Sequence, residues 1–177
     1  PKGRGLKEVA SPVKVLALEL GLPVFQPEKV KDPSFLETFK KLNPDMVVVV
    51  SFGQILPKTI IDYPPLKCLN IHPSLLPKYR GAAPLNWQII RGENKTGVTI
   101  MQMDEGMDSG DILLQEETEL SPTETYGMLH NRLAYLGATL LVKTMEQVLD
   151  GTANRKPQEA TGVTFAPRLK KETGKIN

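Results

Sequence analysis

Asn70 and His72 stand two residues apart at the end of the run "KCLNIHP", in a chain with only two histidines. If that run is a strand, its side chains alternate, so amide and imidazole face one side about 7 Å apart along the chain. Such a pair suits a carbonyl carbon under attack. The amide N–H holds a developing oxyanion, and the imidazole moves protons near neutral pH. The same pair also suits a structural, hydrogen-bonded role. A third group bears on the choice. The segment "DEGMDSGD" puts Asp104, Glu105, Asp108 and Asp111 among Gly106 and Gly110, between two apolar runs. Asp108, delivered on this loop, could reach His72, raise its pKa and orient its ring. A plain acidic turn is the bland alternative. A calcium loop is disfavoured: Gln115 stands where the bidentate Glu is required, and the glycine falls third rather than sixth.

Other chemistries lack their residues. The single cysteine, Cys68, sits at the start of the same run, so it offers no disulfide and no nucleophile beside a histidine. The chain contains no Gly-x-Ser-x-Gly, no Gly-x-Gly-x-x-Gly and no phosphate loop. Non-covalent carbonyl chemistry without a metal is therefore the expectation. His130, between Leu129 and Leu133 in a helical pattern, reads as a surface or packing residue, and Trp87 reads as packing. Near the start, "GRG" offers backbone freedom and one guanidinium for a phosphate, as ordinary flexible loops also do.

The elements that must position these groups read as follows. "VKVLALELGLPVF" is a short helix stopped by Gly21, then a strand near Pro23 to Gln26. "DPSFLETFKKLN" is a helix with Asp32 as N-cap, Pro33 at its first position and Asn43 as its stop, burying Phe35, Leu36, Phe39 and Leu42. "DMVVVVSFG" is a β-branched run expected to be a parallel strand covered on both faces. "KTIID" is a short helix, "KCLNIHP" a strand, "PLNWQIIRG" a helix, and "TGVTIMQM" and "DILLQEETEL" two more strands. A long helix opens on a Ser121-x-x-Glu124 capping box and closes at Gly151, with Tyr126, Leu129, Leu133, Leu136, Leu140 and Val148 at helical spacing. Alternating strands and helices indicate an α/β sheet, parallel at least in its first half. Ligands then collect beyond the strands' carboxyl ends, after "MVVVVSFG" and after "LNIH".

The totals set the outer limits. A chain of 177 residues with 40% hydrophobic and 24% charged residues is an ordinary globular composition with room for one α/β domain. No window is apolar enough for a membrane span. The net charge of +2 is uneven: Lys2, Arg4, Lys7 and Lys14 lie at one end, Arg168, Lys170, Lys171 and Lys175 at the other, and the stretch 99–126 is acidic. Basic ends could dock a polyanion, or simply be solvated surface. The opening Pro, in a loop-like stretch, suggests a fragment, so targeting cannot be judged.

Taken together, "LNIHPSLLPKYRGAAPLNW" and "KTGVTIMQMDEGMDSGDILL" resemble the formyltetrahydrofolate-dependent formyltransferases and hydrolases, and the resemblance runs over nearly the whole chain. It implies a Rossmann-like, three-layer α/β fold with a mostly parallel sheet, spanned here by residues 1–177 as a partial catalytic domain. N-terminal strands and a C-terminal β-barrel domain would lie outside it. It implies Asn70, His72 and Asp108 as the catalytic set, with Asp108 keeping His72 protonated so that it and the Asn70 amide stabilise the oxyanion, and 10-formyltetrahydrofolate as the formyl donor. The donor would be held around Phe52, Gly53, Gln54, Ile55 and Leu56 of "SFGQILPK", with Glu105, Gly106 and Met107. The basic opening resembles the loop of the branch that acts on methionyl-tRNA, with Arg4, flanked by Lys2 and Lys7, against the acceptor end. The implied product is initiator formylmethionyl-tRNA, made by a monomer in the cytoplasm or an organellar matrix. An amino-sugar-nucleotide formyltransferase, a formyltetrahydrofolate hydrolase and an inert folate-binding module are the alternatives.

Overall fold

The computed structural model describes residues 9–174. Its centre is a four-stranded sheet in the order β1 (Val47–Val49), β2 (Cys68–His72), β3 (Lys95–Gln102) and β4 (Ile112–Glu119). β1 and β2 are parallel, with Val49 opposite Asn70, whereas β2 with β3 and β3 with β4 are antiparallel. The α/β class holds, but the sheet is mixed rather than mostly parallel among the described residues. The acidic loop joining β3 to β4 is too short for a crossover, so those strands form a hairpin. β3 carries His72's neighbour, Thr99, directly opposite it.

Helices cover both faces. α5 (Tyr126–Leu149) lies on one, burying Leu129, Leu133, Gly137, Leu140 and Thr144 against Leu69, Val98 and Ile100. Gly137 lets it approach closely, since a Cβ there would lie 2.9 Å from the Ile71 side chain. α4 (Pro84–Ile90) adds Leu85 to the same core. On the other face α2 (Pro33–Leu42) and α3 (Lys58–Ile61) pack Phe39, Ile60 and Ile61 against Cys68 and the β1 valines. Even-numbered β2 residues therefore look toward this second face and odd-numbered ones toward α5.

Four local expectations need correction. Pro23 to Gln26 form no strand, consistent with a proline that cannot donate to a ladder. β1 is only three residues long, and Val48 and Val50 are exposed, because the described residues cover one of its faces and one of its edges. Leu42 is likewise exposed. The long helix starts at Tyr126 rather than on Ser121: Thr125 is its N-cap and accepts from the Met128 N–H, while Glu124 pairs with Arg132 outside the helix. α2 follows its punctuation, with Pro33 first and Asn43 left-handed at φ 44°, although Asp32 makes no side-chain cap bond. α1 (Pro12–Glu19) buries nothing among the described residues.

Candidate active site at the end of strand β2

His72 is buried at the carboxyl end of β2, 4% exposed. Its Nε2 lies 2.9 Å from the carbonyl oxygen of Tyr79. A carbonyl only accepts, so Nε2 carries the hydrogen and, in the neutral ring, Nδ1 keeps its lone pair. That lone pair faces Asp108, whose Oδ2 is 3.7 Å from Nδ1. Asn70 projects on the same face two residues back, and among the described residues its amide forms no side-chain hydrogen bond. The structure thus brings the imidazole and the carboxylate together, with a free amide one pleat away.

The expected electrostatics need one correction. Asp108 does raise the His72 pKa, and so does the Tyr79 carbonyl, but burial outweighs both and holds the ring below its ordinary 6.5. The resting imidazole is neutral at pH 7. Asp108 is positioned to stabilise a positive charge once a proton arrives.

The segment after His72 fixes this geometry by saturating its own polar groups. Ser74 donates from Oγ to the Lys78 carbonyl, and its own carbonyl accepts from Thr99 Oγ1 at 2.6 Å. The Leu76 N–H bonds to the same threonine, and Gln115 donates to both Leu76 O and Thr99 Oγ1. Gln88 ties Pro73 and Pro84 to Thr96. Tyr79 sits at φ 66°, a left-handed backbone that turns its carbonyl back on His72. Its N–H donates to Thr164, its hydroxyl bonds Glu93, and its ring lies beneath the Arg91 guanidinium. These buried partners rigidify the histidine.

Asp108 is anchored from two sides. Gly81 N–H donates to its Oδ2 at 2.8 Å, and Gln158 donates to its carbonyl. Gly81 has φ 118°, and a Cβ there would meet the Ala166 carbonyl at 2.9 Å, so only glycine gives this approach without strain. Sequence reasoning passed over Tyr79, Gly81 and Gln158. They act through backbone groups or from a distant tail, and only the turn-like "YRG" hinted at them.

The residues expected to hold the donor divide. Phe52 and Ile55 are exposed, Ile55 at 93%, and Gly53 has φ 77°, so the loop after β1 presents apolar side chains and open backbone. Gln54 and Leu56 serve the structure as well: Gln54 Oε1 accepts from Val30 N–H, and Leu56 is buried in the second core. Glu105 pairs with Lys58 at 2.6 Å, bringing the acidic loop beside that of β1. Gly106 packs against Ser109, and Met107 is exposed. Lys2, Arg4 and Lys7 lie outside the described residues.

The other candidates do not gather chemistry. Cys68 is buried and its thiol is pushed up to about 11 by desolvation, which makes it inert. His130 is exposed and touches Asn131 and the Tyr126 ring. Among the described residues no three His, Cys, Asp or Glu side chains gather as a metal site. A hollow of about 650 Å³ beside Arg132 is elsewhere, and its guanidinium is already bonded by Glu124, Thr118 and Glu119.

The α/β sheet thus gathers an amide, an imidazole and a carboxylate at one strand end, a set whose chemistry suits the class of enzymes that act on an acyl carbon. Sequence comparison makes that class specific. The formyl transferase family matches residues 1–145, and the chain belongs to that family. It is 58% identical over 176 residues to the methionyl-tRNA formyltransferase of Syntrophus aciditrophicus, across 99% of this chain and 56% of that protein. The chain spans about half the length of the curated relatives it matches. Among solved structures, a sugar N-formyltransferase from a Shewanella species superposes with a TM-score of 0.72 at 25% identity, over 87% of this chain and 59% of that one. HypX from Aquifex aeolicus, solved with tetrahydrofolic acid, shares the fold with a TM-score of 0.71 at 21% identity, over 80% of this chain and 24% of that one.

Proposed function

We propose that this chain is the catalytic part of an enzyme that moves a formyl group from 10-formyltetrahydrofolate to the α-amine of methionyl-tRNA, giving initiator formylmethionyl-tRNA. The chemistry rests on one observation: a buried His72 turns its Nδ1 toward Asp108, one pleat from an Asn70 amide that makes no side-chain hydrogen bond among the described residues. The choice of acceptor rests on 58% identity over almost the whole chain to a protein of that name.

The amine attacks the formyl carbon, and the carbonyl oxygen becomes an oxyanion accepted by the Asn70 N–H. The nitrogen gains positive charge as its bond to carbon forms. His72 Nδ1 takes that proton, directly or through one water, and the imidazolium is stabilised by Asp108. The same proton then passes to the folate nitrogen as its bond to the formyl carbon breaks. One proton leaves the amine, one arrives on the leaving group, and no metal is needed to balance the step. The pterin would lie against Phe52, Ile55 and Met107, with backbone groups around Gly53 and the Glu105–Gly106 turn reading its edges. The basic opening, Lys2, Arg4 and Lys7, would hold the tRNA acceptor end, and a monomer suffices for the reaction.

The deciding experiment offers the full-length protein methionyl-tRNA, an amino-sugar nucleotide or water as acceptor, and follows formyl loss from the folate. Methionyl-tRNA is expected to be used at least a hundredfold faster than the others. Formate release with water alone at the same rate would replace the transferase by a hydrolase, and preference for the sugar would replace the acceptor. Arg4→Ala should weaken use of tRNA and reduce the salt slope of binding by about one. A defect confined to the folate KM would count against that role.

A further inference from the structure

Gln158 reaches the site from the tail beyond α5, fifty residues along the chain from Asp108. Its neighbours fix which way its amide points. Oε1 accepts from Arg80 Nε at 3.0 Å and Nη2 at 2.7 Å, and a guanidinium can only donate. The NH2 group therefore faces the carbonyls of Asp108 and Gly110, both at 2.8 Å, which can only accept. Every hydrogen-bonding position of the amide is used. A flipped amide would set donor against donor and acceptor against acceptor.

The loop it grips needs holding. Asp108 sits at φ 48°, a left-handed backbone unfavourable for a residue with a Cβ. Gly110 is packed so tightly that a Cβ would fall inside the Gln102 carbonyl. Between these points the carboxylate is aimed at His72 by two sets of bonds, the Gly81 N–H on Oδ2 and Gln158 on the backbone. Gln158 is itself delivered by the two hydrogen bonds between Lys156 and Ile112 at the start of β4. Arg80, bonded to the amide oxygen, polarises the NH2 group and strengthens its grip.

We infer that Gln158 is a positioning residue of the active site: clamped by Arg80, it holds the Asp108 loop so that the carboxylate faces His72 Nδ1. The kinetic side of this inference rests on the formyl-transfer reading, while its titration side does not.

The test uses the full-length protein and Gln158→Met, which keeps the length and lacks both donors and charge. Arg80→Lys serves as a second variant that leaves Gln158 in place with a weaker partner. NMR follows the titration of His72, assigned as the resonance that His72→Gln removes. Release of Asp108 should move the His72 pKa further down in both variants. Turnover should fall by about tenfold to a hundredfold, as expected for a misaligned group, with the donor KM within threefold. In an Asp108→Asn background Gln158→Met should change neither titration nor turnover further, since a residue acting only through Asp108 has nothing left to place. An unmoved His72 titration in the folded variants overturns the inference. So does an additive loss in the Asp108→Asn background. Wild-type protein without any formyl transfer would sink the functional reading, and the titration would still decide the role of Gln158.

Discussion

The loops beyond β1 and β2 leave adjacent parallel strands and are built on opposite plans. After β2, Ser74, Leu76 and Tyr79 are buried, and nearly every polar group between His72 and Arg80 is bonded, either by Thr99, Gln115, Thr164 and Gln88 or within the loop itself. After β1, Phe52 and Ile55 are exposed, and among the described residues the loop's side chains tie to the rest of the fold through one hydrogen bond, Gln54 to Val30, and the buried Leu56. The difference assigns work. Groups that meet a developing charge gain from being fixed before the reaction, because no reorganisation is then needed at the transition state. A surface that must accept and release a flat co-substrate gains from open backbone and unpaired apolar side chains.

If that division is right, the largest effects belong to the fixed wall. Asn70→Ala should lower turnover by about 10²–10³, the usual cost of one oxyanion donor, and His72→Ala by about 10²–10⁴. Donor binding should stay within about tenfold in both, and a loss of folate binding with turnover intact would reverse the assignment. Next in size is Gly110→Ala. The added methyl collides with the Gln102 carbonyl, and overpacking of this kind costs about 1–3 kcal/mol, to be read from denaturant midpoints. Unchanged stability would show that the Asp108 loop is looser than its contacts imply.

Most of this wall was legible in the sequence only at its tips. Asn70 and His72 announce themselves by period-two spacing, and Asp108 by its glycine-flanked loop. The helices α2 and α4 follow from Pro33, Asn43, Pro84 and Gly92, whose backbone preferences are local. What could not be read was non-local. Pairing direction between β2 and β3 depends on a ladder, not on composition. The start of α5 turns on Thr125 rather than Ser121 capping the first helical turn, with Glu124 bound to Arg132 as well as to the Ser121 backbone. Gln158 and Thr164 join the site from across the chain, in a tail whose composition reads as polar filler. The imidazole's charge was misjudged because a neighbouring carboxylate is visible in sequence, whereas burial is not.

That misjudgement gives a smaller and signed prediction. The folded state holds His72 below its ordinary 6.5, through burial. As pH falls below 6.5, the unfolded chain takes up a proton that the folded chain refuses, so stability drops. The drop ends once pH passes the folded value and both states are protonated. Urea midpoints measured at pH 7.5 and 5.5 should show this loss in the wild type, and His72→Gln should show less of it. An equal slope in both proteins would mean that the ring is not held neutral.

The open wall should answer in the opposite currency. Ile55→Ala removes a side chain that is 93% exposed and touches no core, so stability should change by less than about 0.5 kcal/mol. The same deletion takes apolar area from the surface assigned to the pterin. Losing two or three methylenes of contact at about 0.8 kcal/mol each would raise the donor dissociation constant by about fifteenfold to fiftyfold. Turnover at saturating donor should hardly move, because the reacting carbon is placed from the β2 side. Equilibrium binding of tetrahydrofolate, with a thermal melt alongside, separates the two effects. If Ile55→Ala melts early and binds folate normally, the loop after β1 is a structural element, and the contrast between the two walls fails at its exposed side.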